Sequence, residues 1–151
     1  TGPGAGGPNM ALSSTFRGIY VNVGTSAVTS IQGNTIKNVR SSLTGSFTAS
    51  YGIFVEAGRV NVGTTTGNTV GSANAAERIE ISGDSYGIRV LSVATVNVAN
   101  NTINNVTTAP GVPTGEFYWG MSVEGAGGTH TVENNTITNI SNGSTLAEAP
   151  S

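Results

Sequence analysis

The chain has no cysteine, and among its 151 residues there is one lysine (Lys37), one histidine (His130) and one aspartate (Asp84). Without cysteine there is no disulfide scaffold and no thiolate metal site. Charged residues are 9% of the chain, and six basic residues against eight acidic ones leave a net charge of -2. That balance lacks the basic footprint nucleic-acid binding requires. No apolar run approaches about 18 residues, so no segment reads as a transmembrane helix. Leu, Glu and Lys are scarce, which argues against a helical bundle.

What is present is polar and β-prone. Gly, Ser, Thr and Asn fill about half of the chain, and 16 valines are spread along it with Ile, Phe and Tyr. A flexible linker would lack those apolar residues, so the composition predicts an ordered β-rich chain. Self-similarity then organises it. Asn-Thr-Ile/Val occurs at Asn34, Asn68, Asn101 and Asn135, spaced by 34, 33 and 34 residues. Gly-apolar-x-Val begins at Gly18, Gly52, Gly87 and Gly120, spaced by 34, 35 and 33. Two motifs repeat in step four times, which defines units of 33–35 residues.

Within a unit the apolar period is two. Ile19, Val21 and Val23 alternate with Tyr20 and Asn22. Val60 and Val62 flank Asn61, and Val96 and Val98 flank Asn97. Period two in short β-branched runs predicts strands with one buried face. The one weak helical candidate is Ala73 to Ile81. Stacked repeats of short strands form a solenoid, each strand pairing in parallel with its counterpart about 4.8 Å away in the next coil.

The stack then has columns. Asn34, Asn68, Asn101 and Asn135 are placed to form an amide ladder at a bend, because each amide both donates and accepts. Ile36, Val70, Ile103 and Ile137 form an inner aliphatic column. Tyr51, Tyr86 and Trp119 precede the motif glycine, with Arg17 in that place in the first repeat. Counting back by two from Met121 places Trp119 and Phe117 on the inward side.

These features resemble the right-handed parallel β-helix repeats of the pectate-lyase-like superfamily. The resemblance rests on the Gly-Ile-x-Val starts and on the stretches Val98 to Val106 and Val132 to Ile140, and it covers residues 17 to about 141. It implies an all-β, right-handed parallel β-helix of about four coils. Residues 1–16 form an N-terminal linker or cap, residues 17–141 the β-helix domain, and residues 142–151 a tail. In the second repeat Gly63-Thr64-Thr65-Thr66-Gly67 inserts extra residues and predicts a bulged coil. Variable loops fall at about 40–50, 72–85 and 107–118. The chain begins without Met or a leader, so it reads as a mature product or an excised segment.

Enzymes of that superfamily use clustered acids, Arg or Lys, often with Ca²⁺, on an outward strand face. In this frame Asn22, Glu56, Leu91 and Glu124 share an outward column, and Arg89 shares the next with Tyr20, Phe54 and Ser122. Glu56 and Glu124 lie two coils apart, about 9.6 Å at the backbone, the outer limit for an inverting carboxylate pair. Glu56, Arg89 and Glu124 are therefore the candidate catalytic set for a polysaccharide lyase or glycoside hydrolase, and solvated surface charges are the plainer alternative. Tyr20, Phe54 and Trp119, with the loop at Glu116–Trp119, are the candidate glycan-binding surface.

Other motifs carry less. His130 aligns with Val96 and Thr29, and no Gly-x-Ser-x-Gly elbow accompanies it. The acids, which include Glu77, Glu80, Glu133 and Glu148, show no metal-ligand spacing, and no cofactor is expected. The Gly2–Gly7 segment lacks the strand and helix of a nucleotide loop. Sequons at Asn100, Asn105, Asn134, Asn139 and Asn142 are frequent by chance in so Asn- and Thr-rich a chain, and Asn100 and Asn134 also serve the bend. Thr35, Thr69, Thr102 and Thr136 make a single threonine row, whereas flat ice-binding arrays use two. A four-coil column, about 19 Å tall, exposes strand edges at both ends unless capped. The resulting expectation is a non-catalytic structural or assembly module of an extracellular or cell-surface protein, whose coils stack into a longer solenoid or end to end into a filament. Its partners are further copies or neighbouring coils of a longer protein. A polysaccharide-acting enzyme and a glycan-binding module are the alternatives.

Overall fold

The structure is a computed structural model that describes residues 15–40, 49–81, 83–108 and 117–141. Most of the terminal segments, much of two variable loops, Glu116, Glu148 and the Asn142 sequon lie outside the described residues.

The chain winds as a parallel β-solenoid. The first coil contains β1 (Arg17–Asn22), β2 (Val28–Ile31), β3 (Thr35–Ile36) and β4 (Val39–Arg40). The second contains β5 (Ser50–Ala57), β6 (Arg59–Val62), β7 (Thr69–Gly71) and β8 (Ile79–Ile81). The third contains β9 (Ser85–Val90), β10 (Val96–Ala99) and β11 (Thr102–Thr108), and the last β12 (Tyr118–Val123), β13 (Thr131–Glu133) and β14 (Thr136–Ser141). The first sheet runs β1-β5-β9-β12 and the second β2-β6-β10-β13. In the third, β11 pairs with β7 and β8 on one side and β14 on the other, and β3 and β4 complete the edge. Every pairing is parallel. Arg17 sits beside Tyr51, Tyr51 beside Tyr86 and Tyr86 beside Trp119, so the described chain completes three turns and ends within a fourth. That is slightly short of the four coils expected.

The interior is filled by the β-branched residues that define the period. Ile53, Val55, Val62, Val70, Ile88, Val90, Val98 and Ile103 have no exposed surface. They form one continuous cluster between the three sheets. Burial falls off in the last coil. Ile137 and Val132 in the last coil are 45% and 50% exposed, although their in-register partners Ile103 and Val98 are fully buried.

Asparagine makes the corners. Asn100 and Asn134, each just before a ladder asparagine, have φ of 60° and 53°, and Asn38, Asn105 and Asn139, each four residues after one, have φ of 51° to 59°. Among residues with a Cβ, asparagine enters this left-handed region most readily. In the second coil, the inserted residues are gathered by Gln32, whose Oε1 accepts from the Thr65 and Thr66 N–H groups, while Thr66 O accepts from Gly33 N–H. The weak helical candidate is realised only as a 3₁₀ turn, Ala75–Glu77, capped by the Asn74 side chain and followed by β8.

Candidate functional site

The outer face of the first sheet gathers most of the chemistry-bearing side chains, and its layout follows from the motif glycines. A Cβ on Gly87 would lie 2.5 Å from the Gly120 carbonyl oxygen and 2.6 Å from Ile103 Cγ2. Gly18, Gly52 and Gly120 meet Ile36, Val70 and Ile137 in the same way. None of the four glycines has a left-handed φ. They serve because the aliphatic column of the third sheet fills the space a side chain would need. The glycine and the following Ile or Met thus both face inward, and the alternation resets between them.

This reset corrects the expectation for Trp119 and Phe117. The residue before each glycine is thrown outward, onto the side of Phe54. Tyr51, Phe54 and Tyr86 form a second apolar cluster apart from the main core, with Trp119 packed against it. Ring centroids are 4.4 Å apart for Tyr51–Phe54, 5.3 Å for Tyr51–Tyr86 and 4.5 Å for Tyr86–Trp119, with planes within 20° of parallel. Tyr20 leans on Phe54 and Phe117 on Trp119. The guanidinium of Arg17 lies 4.7 Å from the Tyr20 ring, and that of Arg89 lies 4.5 Å from the Tyr86 ring, distances at which cation–π attraction acts. Tyr20 is 43% and Phe117 60% exposed, whereas Phe54 is 4% exposed and its ring is covered by Tyr51.

Beside the rings the charges are paired. Arg89 donates from Nε and Nη2 to both carboxylate oxygens of Glu124, at 3.0 and 2.9 Å, and from Nη1 to the Tyr51 hydroxyl. Ser122 Oγ also donates to Glu124. Glu56 accepts from the Tyr20 hydroxyl and from Asn22 Nδ2. The backbone bonds Leu91 N–H to Val55 O and Glu124 N–H to Val90 O place Leu91 between the two glutamates. Lys37, the single lysine, bonds Glu77 Oε2 at 2.7 Å across the second-coil loop.

These partners set the titration. The Tyr20 and Asn22 bonds hold the Glu56 carboxyl below the ordinary glutamate range, the Lys37 bond does so for Glu77, and the Arg89 and Ser122 bonds for Glu124. A group depressed in the folded state stabilises fully above its unfolded pKa, and the contribution disappears as pH falls through the depressed value. Urea midpoints should therefore be flat from about pH 6 to 8 and decline below the ordinary glutamate value near 4.5. The decline should be small and should shrink in about 1 M salt, because the pairs are exposed and screened. A midpoint that rises on acidification would contradict this assignment.

Other candidate residues lie apart. His130 Nε2 is 2.9 Å from the Gly125 carbonyl in the turn before β13. Asp84 accepts from Phe117 N–H at the entry to β12. The threonines Thr35, Thr69, Thr102 and Thr136 pair in register on the third sheet, half-buried or exposed. Among the described residues no three of His, Asp and Glu come together as metal ligands, and no helix is long and apolar enough to cross a membrane.

The asparagine column has a direction. Asn34 donates from N–H and Nδ2 to Asn68 Oδ1, Asn68 does the same to Asn101 Oδ1, and Asn101 to Asn135 Oδ1, all at 2.9–3.0 Å. Asn68 and Asn101 are each 1% exposed. Sequence reasoning placed these residues in one column but missed this polarity. It also missed that the two end coils differ in charge: residues 15–40 carry Arg17, Lys37 and Arg40 and no acid, and residues 117–141 carry Glu124 and Glu133 and no Lys or Arg. Counting charge by repeat would have revealed the second point. Compared with known proteins, the chain matches no family model, no curated protein and no solved structure.

Proposed function

We propose that the chain is a non-catalytic structural module of an extracellular or cell-surface solenoid protein. In this reading it is a right-handed β-helix of the pectate-lyase-like kind, and its last coil receives a further coil. The observation that carries the reading is the exposure of Ile137 and Val132 in columns whose middle members, Val70 and Ile103 in one and Val62 and Val98 in the other, are fully buried. A coil placed on that face would bury them as Ile103 and Val98 are buried, and would pair with the sides of β12, β13 and β14 that face away from the third coil.

The alternatives draw less support from the geometry. A glycoside hydrolase needs one carboxylic acid with a raised pKa, and both Glu56 and Glu124 are held low by donors. A sugar-stacking surface needs free ring faces, and within the ladder the rings cover one another.

The test is to lengthen the solenoid. A copy of residues 85–108 appended after Ser151 should raise stability by about 2 kcal/mol, since half-exposed Ile and Val side chains each gain about 1 kcal/mol on full burial. It should also steepen the urea dependence, which scales with the surface exposed on unfolding. An unchanged midpoint and slope would count against the reading.

A further inference from the structure

The end coils are complementary in three independent respects, and together they identify what the open face takes. We infer that the last coil binds the first coil of a second copy of this chain, head to tail, so that Asn135 joins Asn34 and the copies continue one solenoid. This rests on the reading of the module as a receiver of coils.

The first respect is the ladder. Each coil donates from its asparagine to Oδ1 of the next. Among the described residues, Asn135 N–H has no acceptor and Asn34 Oδ1 no donor. Placed above Asn135, the Asn34 of a second copy supplies the missing oxygen in the geometry used three times below it. A tail-to-tail pair would instead set donor against donor and would require antiparallel strands.

The second respect is charge. Lys37 and Glu124 are already paired inside the chain with Glu77 and Arg89, which leaves Arg17 and Arg40 of the first coil to meet Glu133 of the last. Like ends repel and unlike ends attract, so the charge selects the same polarity as the ladder. The third is the aromatic column. Arg17 occupies the register position held by Tyr51, Tyr86 and Trp119 in the other coils. In the stack it arrives beside the Trp119–Phe117 pair, where the column lacks a neighbour. Arg89 already shows how a guanidinium sits on these rings. Ile137 and Val132 then lie against Ile36 and Ile31 of the incoming copy, continuing their own columns. Two unlike surfaces in contact make an open-ended assembly rather than a closed dimer.

The absence of native cysteine makes a direct test clean. Thr35 and Thr136 are exposed in the same outward column of the first and last coils. In the proposed stack their Cα atoms come about 4.8 Å apart, within the range a disulfide bridges. The double variant T35C/T136C, oxidised mildly, should give a ladder of covalent multimers on non-reducing gels. Each single variant should remain monomeric. Salt of about 0.5 M should slow the cross-linking several-fold, since charge guides the encounter. Circular dichroism of each variant verifies that it folds. Dimers from T136C alone, as fast as multimers from the double variant, would show tail-to-tail contact and overturn the inference. If no folded variant cross-links and light scattering finds only monomer at high concentration, the second copy is excluded. The lengthened chain described above separates the two ideas: its stabilisation would preserve the receiving face with a different coil as occupant, and its failure would remove the face as well.

Discussion

Replacing Asn101 by Ala should cost about 3–6 kcal/mol, enough to consume much of the stability of an ordinary domain. The estimate follows from the groups left without partners. Asn101 Nδ2 donates to the Val62 and Ala99 carbonyls and to Asn135 Oδ1, and Oδ1 accepts from Asn68 N–H and Nδ2. Alanine removes all five contacts at a site that water barely reaches, and each buried group left unsatisfied costs about 1–3 kcal/mol. The same substitution at Asn34 is the internal comparison. Asn34 is half-buried, its side chain donates only to Gln32 O and Asn68 Oδ1, and no described group donates to it. Its loss should be about 1 kcal/mol. Equilibrium unfolding in urea distinguishes the two. Equal losses would show that the ladder adds nothing beyond a local turn. Aspartate at position 101 should be worse than alanine near neutral pH, because a carboxylate offers no donor to the two carbonyls and faces them with its charge.

The contrast shows which features can be read from sequence. Columns follow from the spacing alone. A fixed interval of 33–35 residues puts Asn34, Asn68, Asn101 and Asn135 in one line, and Tyr20, Phe54, Arg89 and Ser122 in another, and the strand register has the same lines. The direction in which a side chain leaves a strand follows from period two, provided that the strand is regular. It is irregular at each motif glycine. Gly120 and Met121 both point inward, so counting by two assigned Trp119 and Phe117 to the wrong side. A sequence shows that a glycine is present and not whether it turns the chain or makes room for a neighbour on another sheet. Lys37–Glu77 was hidden for a related reason: the partners are 40 residues apart and meet only because the 72–78 segment of the second coil reaches back over the first. Ladder polarity depends on which amide end faces up, and spacing carries no record of that.

Gly87→Ala tests the role assigned to the motif glycines and should cost about 3 kcal/mol. The added carbon would meet the Gly120 carbonyl of the next coil and Ile103 Cγ2, both closer than such contacts allow. Neither neighbour can yield freely. The carbonyl belongs to the sheet backbone, and Ile103 has no exposed surface and so cannot swing out into solvent. Gly24→Ala provides the opposite sign. No atom lies within 4 Å of its added carbon, and its φ is outside the left-handed region. There the main effect is a less flexible unfolded chain, worth about 0.5 kcal/mol of added stability. If Gly87→Ala proved as mild as Gly24→Ala, crowding by the third sheet would not be why the motif carries glycine. Gly120 falls between these cases. Its carbon would meet Ile137, which is 45% exposed and can move aside, so Gly120→Ala in an isolated chain should cost only about 1 kcal/mol. In the head-to-tail stack Ile137 is held by Ile36 of the incoming copy and loses that freedom. The same substitution should then weaken association as well as folding, coupling the interior packing of the last coil to the assembly of the solenoid.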